Sequence, residues 1–273
     1  MQLVSFDALR SFGIPGTTYL HPQNFHHNLD LVERADWLLF PDYDQLNILL
    51  YAINKRIFPS PATYHLGHDK AQQTRAFQQV VPSHVPETLI LPRSDWAREH
   101  VLETLDFPFV AKEIRNSMGR GVFLIRGRAE WLEYTQNNAL FYAQEYLPID
   151  RDLRLVLVGR KVVASYWRRQ CQNGFHNNIA QGGTLEQGSV PIEAIALVEQ
   201  VAMRLSIDHA GFDVAMVDGH PFLFEFNRLF GTAGLAKMGI HLGPFIHAWL
   251  SEQQPLTPPM RPRGNHPPHR QAV

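Results

Sequence analysis

Gly211-Phe-Asp213-Val-Ala-Met-Val-Asp-Gly219-His-Pro-Phe-Leu-Phe-Glu225-Phe-Asn227 is the stretch that decides the fold of this chain. Apolar and polar residues alternate on both sides of Asp218-Gly219-His220, the pattern of two antiparallel strands joined by a tight turn. A turn centred near Gly219 sets Asp213 opposite Glu225. Alternation then puts Asp213, Glu225 and Asn227 on one face, with Phe224 and Phe226 on the other. Two carboxylates and an amide, with no lysine between them in sequence, form an oxygen-only donor set. Such a set suits magnesium, which takes one or two carboxylates and fills its remaining positions with water and phosphate oxygens. The exposed polar face of an edge hairpin fits the same pattern, because a slip of one residue would scatter the three side chains.

Upstream of the hairpin, residues 140–145, 153–158 and 162–170 read as strands, the last two joined at Gly159-Arg160-Lys161, and residues 192–205 read as an amphipathic helix. Asp152 and Arg154 share one strand face and are followed by Arg168, Arg169, His176, Asn177 and Asn178. Arginines so placed can hold a carboxylate bidentately and neutralise a phosphoryl group; a surface ion-pair network fits equally well. Further upstream, strands at 107–114 and 121–125 flank Asn116-Ser117-Met118-Gly119-Arg120-Gly121. A glycine loop between two strands is neither a Walker loop nor a Rossmann turn, since both of those lead into helices. It reads as a flap whose N–H groups close over phosphates, or as an ordinary hairpin turn. Lys112 feeds this loop and Lys70 opens a helix over 69–80 capped by Asp69; each offers a point charge to phosphate or is a solvated surface lysine.

Ahead of these pieces lies a short α/β layer with strands at 3–6, 16–20 and 37–40 and helices at 25–34 and 44–55, closed by the connector Phe58-Pro59-Ser60-Pro61. A helix over 94–105 starts at Ser94, and the proline-rich 255–273 reads as a disordered tail. Across the 273 residues, 25 Lys plus Arg nearly cancel 26 Asp plus Glu, which leaves no basic footprint for nucleic acid. No apolar run reaches the length of a membrane span, and the single Cys171 excludes an internal disulfide, so the chain reads as cytoplasmic. Of the 14 histidines, the adjacent His26 and His27 project in different directions, and His65 with His68 lacks a cysteine or a further nearby ligand pair, while Met203 and Met238 read as core.

Taken in order over residues 59–240, these motifs resemble a RimK-like ATP-grasp carboxylate-amine ligase. The resemblance implies an α+β ATP-grasp fold, two α+β subdomains clasping ATP, preceded by the short α/β layer. It places the layer at 1–60, the grasp domain at 61–250 (flap-bearing to about 140, metal-bearing from about 141) and the tail at 251–273. His68-Asp69-Lys70 and Pro108-Phe-Val-Ala-Lys112 are similar to the two ATP lysines, and Ser117, Met118, Gly119 and Gly121 to the flap. Gln144, Glu145, Tyr146 and Leu147 resemble the adenine-binding hinge, Asp152 the ribose position, and His176, Asn177 and Asn178 the loop facing the phosphates. Arg154 and Arg169 take the catalytic positions at the transferring phosphoryl group, and Asp213, Glu225 and Asn227 match the magnesium ligands, with manganese as a substitute. The chain departs from the family with His176 where an arginine is usual and with Asn-Arg-Leu-Phe-Gly231 in place of Asn-x-x-Pro-Gly.

The implied chemistry is ADP-forming amide synthesis through an acylphosphate, adding an amino acid such as glutamate to a peptide or protein carboxylate. No nucleic acid or membrane enters, and a homo-oligomer is compatible. The alternatives are a non-catalytic ATP-binding sensor or scaffold and an ATP-grasp small-molecule kinase.

Overall fold

A computed structural model describes residues 1–114, 121–169, 184–186 and 188–253. Ser117, Met118, Gly119, His176, Asn177 and Asn178, together with Cys171 and the proline-rich tail, lie outside the described residues. The described residues form three sheets.

The first sheet holds β1 (Leu3–Ser5), β2 (Thr17–Tyr19), β3 (Trp37–Leu39) and β4 (Ile57–Phe58), all parallel, in the order β2-β1-β3-β4. Its inner strands β1 and β3 are buried on both faces, as the middle of a covered parallel sheet requires, while β2 is an exposed edge. Val4 and Leu38 face α1 (Leu29–Arg34) and its neighbours, while Leu3 and Leu39 pack on Val158, Ile246 and Leu250 of the larger body. The helix read over 25–34 is split at Asn28 into a 3₁₀ turn at Pro22–His27 and α1. The helix read over 44–55 forms irregularly and ends earlier, as continuous helical turns over residues 43–52. Asp42 and Gln45 cap each other across a 3₁₀ turn, a single wide turn follows at Ile48–Ala52, and Asn54 ends it in the left-handed region at φ 57°.

After α2 (Pro61–Leu66), α3 (Lys70–Val80) starts where Asp69 accepts hydrogen bonds from Ala71 and Gln72 N–H. The second sheet is antiparallel, ordered β5 (Thr88–Pro92), β8 (Leu140–Glu145), β6 (Phe109–Lys112), β7 (Val122–Ile125), and is backed by α4 (Asp95–Thr104) and α5 (Arg128–Asn137). The third is ordered β11 (Thr184–Glu186), β10 (Lys161–Arg169), β9 (Arg151–Val158), β12 (His209–Val217), β13 (His220–Asn227). It is covered by α6 (Ile192–Leu205) and by α3, and the last described elements are α7 (Ala233–Lys237) and α8 (Gly243–Glu252).

Phe77 of α3 lies 6.2 Å from Phe226, which is 5.4 Å from Phe212. Each fully buried phenylalanine contributes roughly 1.5–3 kcal/mol, so α3 is anchored to the third sheet although it precedes the second in sequence. The division drawn at residue 140 therefore shifts: β8 completes the second sheet through Glu145, and α3 packs on the third sheet. Met203 is also relocated, since it is 61% exposed on the outer side of α6.

Candidate active site

The hairpin β12–β13 has the register read from the sequence: Gly211 faces Asn227 and Asp213 faces Glu225. The register then shifts between Asp213 and Val214, so that Val214 faces Leu223. This bulge corrects the reading of Phe224. Leu223 and Phe226 are buried in the core, whereas Phe224 turns to the cleft and sits 5.6 Å from Lys112 Nζ.

Two lysines converge on Glu225. Lys70, the first residue of α3, places Nζ 2.9 Å from Glu225 Oε2, and Asn227 Nδ2 donates to Glu225 Oε1 at 3.0 Å. The position of α3 is set by Gln73, whose side-chain amide accepts from Phe226 N–H at 2.9 Å and donates to Phe226 O at 3.0 Å. Lys112 approaches from the second sheet, 8% exposed, and hydrogen-bonds an uncharged amide, Gln144 Oε1, at 2.7 Å. Gln144 in turn donates to Thr88 Oγ1, and the Tyr142 ring lies 5.3 Å from the ammonium. Burial pulls the Lys112 ammonium down to about 8, against the opposing charge of Glu225 and helped by Lys70. Burial alone would raise Glu225, but Lys70 and Lys112 hold it down at about 2.

Beside this group runs a ladder of buried ion pairs. Strand registry sets Arg154 across from Asp213 on one side of β9 and Arg168 across from Asp152 on the other. Arg154 Nε lies 2.7 Å from Asp213 Oδ1, and Arg168 binds Asp152 through Nε at 2.8 Å and Nη2 at 2.6 Å while Nη2 also reaches Asp213 at 3.0 Å. Burial would lower the Arg168 guanidinium, yet Asp213 and Asp152 hold it above its ordinary value; burial pushes Asp213 up against the pull of both arginines. Gly211 makes room for Arg154, because a Cβ there would stand 2.6 Å from Arg154 Nη1. Phe230, one of the departures noted in the sequence, is buried behind Arg154 with Val156, Ala164 and Leu235.

Arg169, assigned a catalytic position, faces the opposite way. It is 44% exposed at the edge, paired with Glu186 and with Asp150 at 2.7 Å. Arg168 faces Asp213 instead, and the cross-strand pairing of Asp152 with Arg168 is the signal that identifies it. Asp152, assigned to the ribose, has both oxygens engaged by Arg168. Glu145 spends its carboxylate on Glu87 N–H at 2.7 Å, while Tyr146 and Leu147 lie on the link from β8 to β9, between the two sheets. Gly121 adopts φ 70° at the return of the flap, where its carbonyl accepts from Glu113 N–H.

A hard divalent cation fits this donor set. Asp213 Oδ1 is buried against the Arg154 and Arg168 guanidiniums without a hydrogen bond of good geometry, and Asn227 donates its Nδ2 to Glu225, which leaves its amide oxygen as the acceptor a cation would take.

The model of the RimK-like ATP-grasp domain matches residues 68–250. The chain belongs to the RimK-like ATP-grasp family. This RimK-like chain is 29% identical over 153 residues to a probable alpha-L-glutamate ligase of Klebsiella pneumoniae (strain 342), covering 54% of this chain and 51% of that protein. It is also 29% identical over 150 residues to the ribosomal protein bS6–L-glutamate ligase of Escherichia coli O139:H28, covering 52% and 50%. The match thus spans about half the length of these relatives. Among solved structures, the RimK domain ATP-grasp protein of Sphaerobacter thermophilus DSM 20745 superposes with a TM-score of 0.67 at 16% identity over 91% of this chain and 99% of that one. D-alanine–D-alanine ligase of Bacillus anthracis gives 0.66 at 13% identity over 92% and 96%. Both show the ATP-grasp fold.

Proposed function

We propose that this RimK-like chain joins a carboxylate to an amine while ATP is cleaved to ADP and phosphate. The observation that carries this reading is Lys112, a buried ammonium whose hydrogen bond goes to a neutral amide, set near Lys70 and Glu225 across the space between two sheets. A polyphosphate completes that charge set. Lys70 and Lys112 would hold the ATP phosphates, and Arg154, backed by Arg168 through Asp213, would face the transferring phosphoryl group. A magnesium ion held by Asp213, Glu225 and Asn227 would neutralise phosphate oxygens. The substrate carboxylate attacks the γ-phosphorus and ADP departs; the amine then attacks the acyl carbon, loses a proton and expels phosphate.

The names of the glutamate ligases among the relatives support an amino acid, glutamate first, as the amine and a peptide or protein carboxyl group as its acceptor. No helix among the described residues is long and apolar enough to cross a membrane, and the single cysteine suits a reducing cytoplasm.

The test is incubation with ATP, magnesium and pooled amino acids and peptides, reading ADP, free phosphate and new amide masses together. All three appear with the wild type and disappear with Glu225→Ala, since loss of one preorganised group of this kind costs about 3 kcal/mol, or on the order of a hundredfold in turnover. ATP binding without ADP release would make the chain a sensor, and ADP without phosphate or amide would make it a small-molecule kinase.

A further inference from the structure

One row of side chains crosses four strands on the cleft face of the third sheet. Tyr166 of β10 faces Arg154 of β9, Arg154 faces Asp213 of β12, and Asp213 faces Glu225 of β13. Their sequence neighbours Leu153, Leu155, Phe212, Val214 and Trp167 are buried on the other face. Adjacent strands stand about 4.8 Å apart, so Tyr166 lies one strand beyond Arg154 and two strands, about 10 Å, from Asp213. The row starts at the candidate metal ligands, passes the arginine assigned to the transferring phosphoryl group and ends at a phenol that the cleft chemistry above does not use.

A wall stands over the neighbouring row. Val156 and Ala164 are covered by Phe230 and Leu235, and a Cβ on Gly211 would stand 3.0 Å from Phe230 Cβ. The same segment continues into α7, where a Cβ on Gly234 would stand 2.6 Å from the Tyr166 hydroxyl oxygen. Glycine lets α7 come that close, and the contact holds the ring in place. Tyr166 is 5% exposed, and no described residue hydrogen-bonds its hydroxyl, which is not sealed off from solvent. The other members of the row are engaged, Arg154 with Asp213 and Glu225 with Lys70. A phenol largely withdrawn from water and free of internal partners gains most from an acceptor that a ligand brings. Burial holds this phenol above its ordinary value against the pull of Arg154 and Arg168, so it offers its O–H at neutral pH.

We propose that the Tyr166 hydroxyl donates to the acyl oxygen of the substrate and, with Arg154, steadies the oxyanion formed when the amine attacks. This rests on the ligase reading. In-line displacement sets the attacking carboxylate oxygen opposite the departing ADP. The ADP phosphates belong to Lys70 and Lys112 at the Glu225 end of the row, so the acyl carbon points toward the Tyr166 end. There the amine nitrogen bonds to the acyl carbon and the carbonyl electron pair moves to oxygen. Collapse restores the carbonyl and expels phosphate, which takes the proton lost by the amine. Tyr166 keeps its own proton throughout and acts only as a preorganised donor.

The experiment repeats the assay with ATP, magnesium and pooled amino acids and peptides on the full-length wild type, Tyr166→Phe, Gly234→Ala and Tyr51→Phe, and measures amide turnover, KM for ATP and Tm. Tyr166→Phe removes one oxygen and keeps the ring against Gly234. Its amide turnover falls at least about tenfold, as loss of an oxyanion donor predicts, while KM for ATP stays within about twofold, because Lys70 and Lys112 are untouched. Its Tm stays within about 2 °C of the wild type, since no internal hydrogen bond is lost. Gly234→Ala displaces the ring and lowers amide turnover in the same way; should it fail to fold, Tyr166→Phe decides. Tyr51→Phe, at a position 71% exposed on the first layer, matches the wild type. A smaller fall in Tyr166→Phe, a loss carried by KM for ATP, or a Tm lowered by more than that margin overturns the assignment. A wild type that releases no ADP refutes the ligase reading itself, whereas wild-type amide synthesis matched by Tyr166→Phe refutes only the role of Tyr166.

Discussion

Replacing Arg168 by methionine tests whether the buried ladder, and not the edge arginine, supports the reaction centre. The substitution keeps most of the side-chain volume and removes a guanidinium that is 5% exposed and bound to Asp152 at 2.8 and 2.6 Å and to Asp213 at 3.0 Å. Asp152 loses its bidentate partner, and Asp213 keeps only Arg154. Removing one member of a buried ion pair costs about 3–5 kcal/mol, because the other charge stays in the interior without compensation. For a chain of this size each kcal/mol moves the melting temperature by about 2–4 °C, so Tm falls by roughly 6–20 °C. The assay is thermal unfolding of Arg168→Met, Arg169→Met and the double variant Arg168→Met/Asp152→Asn, followed by ADP release measured well below the lowest Tm. Arg169→Met melts near the wild type, since its side chain is 44% exposed. The double variant regains about 1–2 kcal/mol over Arg168→Met, because the stranded carboxylate is gone. Turnover falls at least about tenfold in Arg168→Met, as Asp213 loses one of the two charges that hold it. Equal Tm values for the two single variants, or a larger turnover loss in Arg169→Met, would refute the placement of the ladder.

The ammonium of Lys112, held down at about 8 by burial, makes ATP binding pH-dependent: affinity weakens as pH rises through about 8, and binding near that pH takes up a proton, read by calorimetry in two buffers of different ionisation enthalpy. The same depression means the unfolded chain binds more protons between about 8 and 10.5, so stability attributable to this group rises across that window, measurable by denaturant titration. Gln73→Leu strips the partners from Phe226 N–H and O and lowers stability by about 2–5 kcal/mol in urea unfolding, with the KM for ATP rising as Lys70 shifts. Magnesium and ATP bind cooperatively, because a cation at Glu225 displaces Lys70 and the freed lysine needs an anion; equal ATP affinity with and without magnesium would exclude this.

Much of the site is legible in the residue order because antiparallel pairing converts spacing into position. The tight turn at Gly219 fixes Asp213 against Glu225 without any knowledge of the rest of the chain. What escapes is decided by departures from the regular pleat and by contacts distant in sequence. A bulge beyond Asp213 reverses Phe224, and no local composition marks it, since Leu223, Phe224 and Phe226 are all apolar. Arg168 and Arg169 are adjacent identical residues, so alternation separates their faces but only the partner strand says which face is the cleft; Asp152 on β9 supplies that answer. The place of α3 depends on Phe77 meeting Phe226, 149 positions apart by number, a pairing that periodicity cannot express. The helical turns after Asp42 are irregular because a capped 3₁₀ turn opens them and a left-handed Asn54 follows their end, details that a run of good helix formers does not mark.

The near-neutral composition has its counterpart inside the cleft. Glu225 is matched by Lys70, Asp213 by Arg154 and Arg168, and Asp152 by Arg168, so most of the charges assigned to ligands are already paired within the protein. Unpaired, these groups would each carry the desolvation penalty of a buried ion and would disrupt the sheet interface they line. Paired, they hold the strands in register and keep the side chains in place before any ligand arrives, so little reorganisation remains for binding to induce. Lys112 breaks the pattern: it is buried against a neutral amide and its proton is held weakly at about 8. An anion entering the cleft gains most at that one incompletely matched cation, and each carboxylate released from its internal partner becomes a ligand for a divalent cation. On the proposed ligase reading, the site therefore favours an anion and a cation arriving together, the charge pattern of a metal–polyphosphate and of neither component alone.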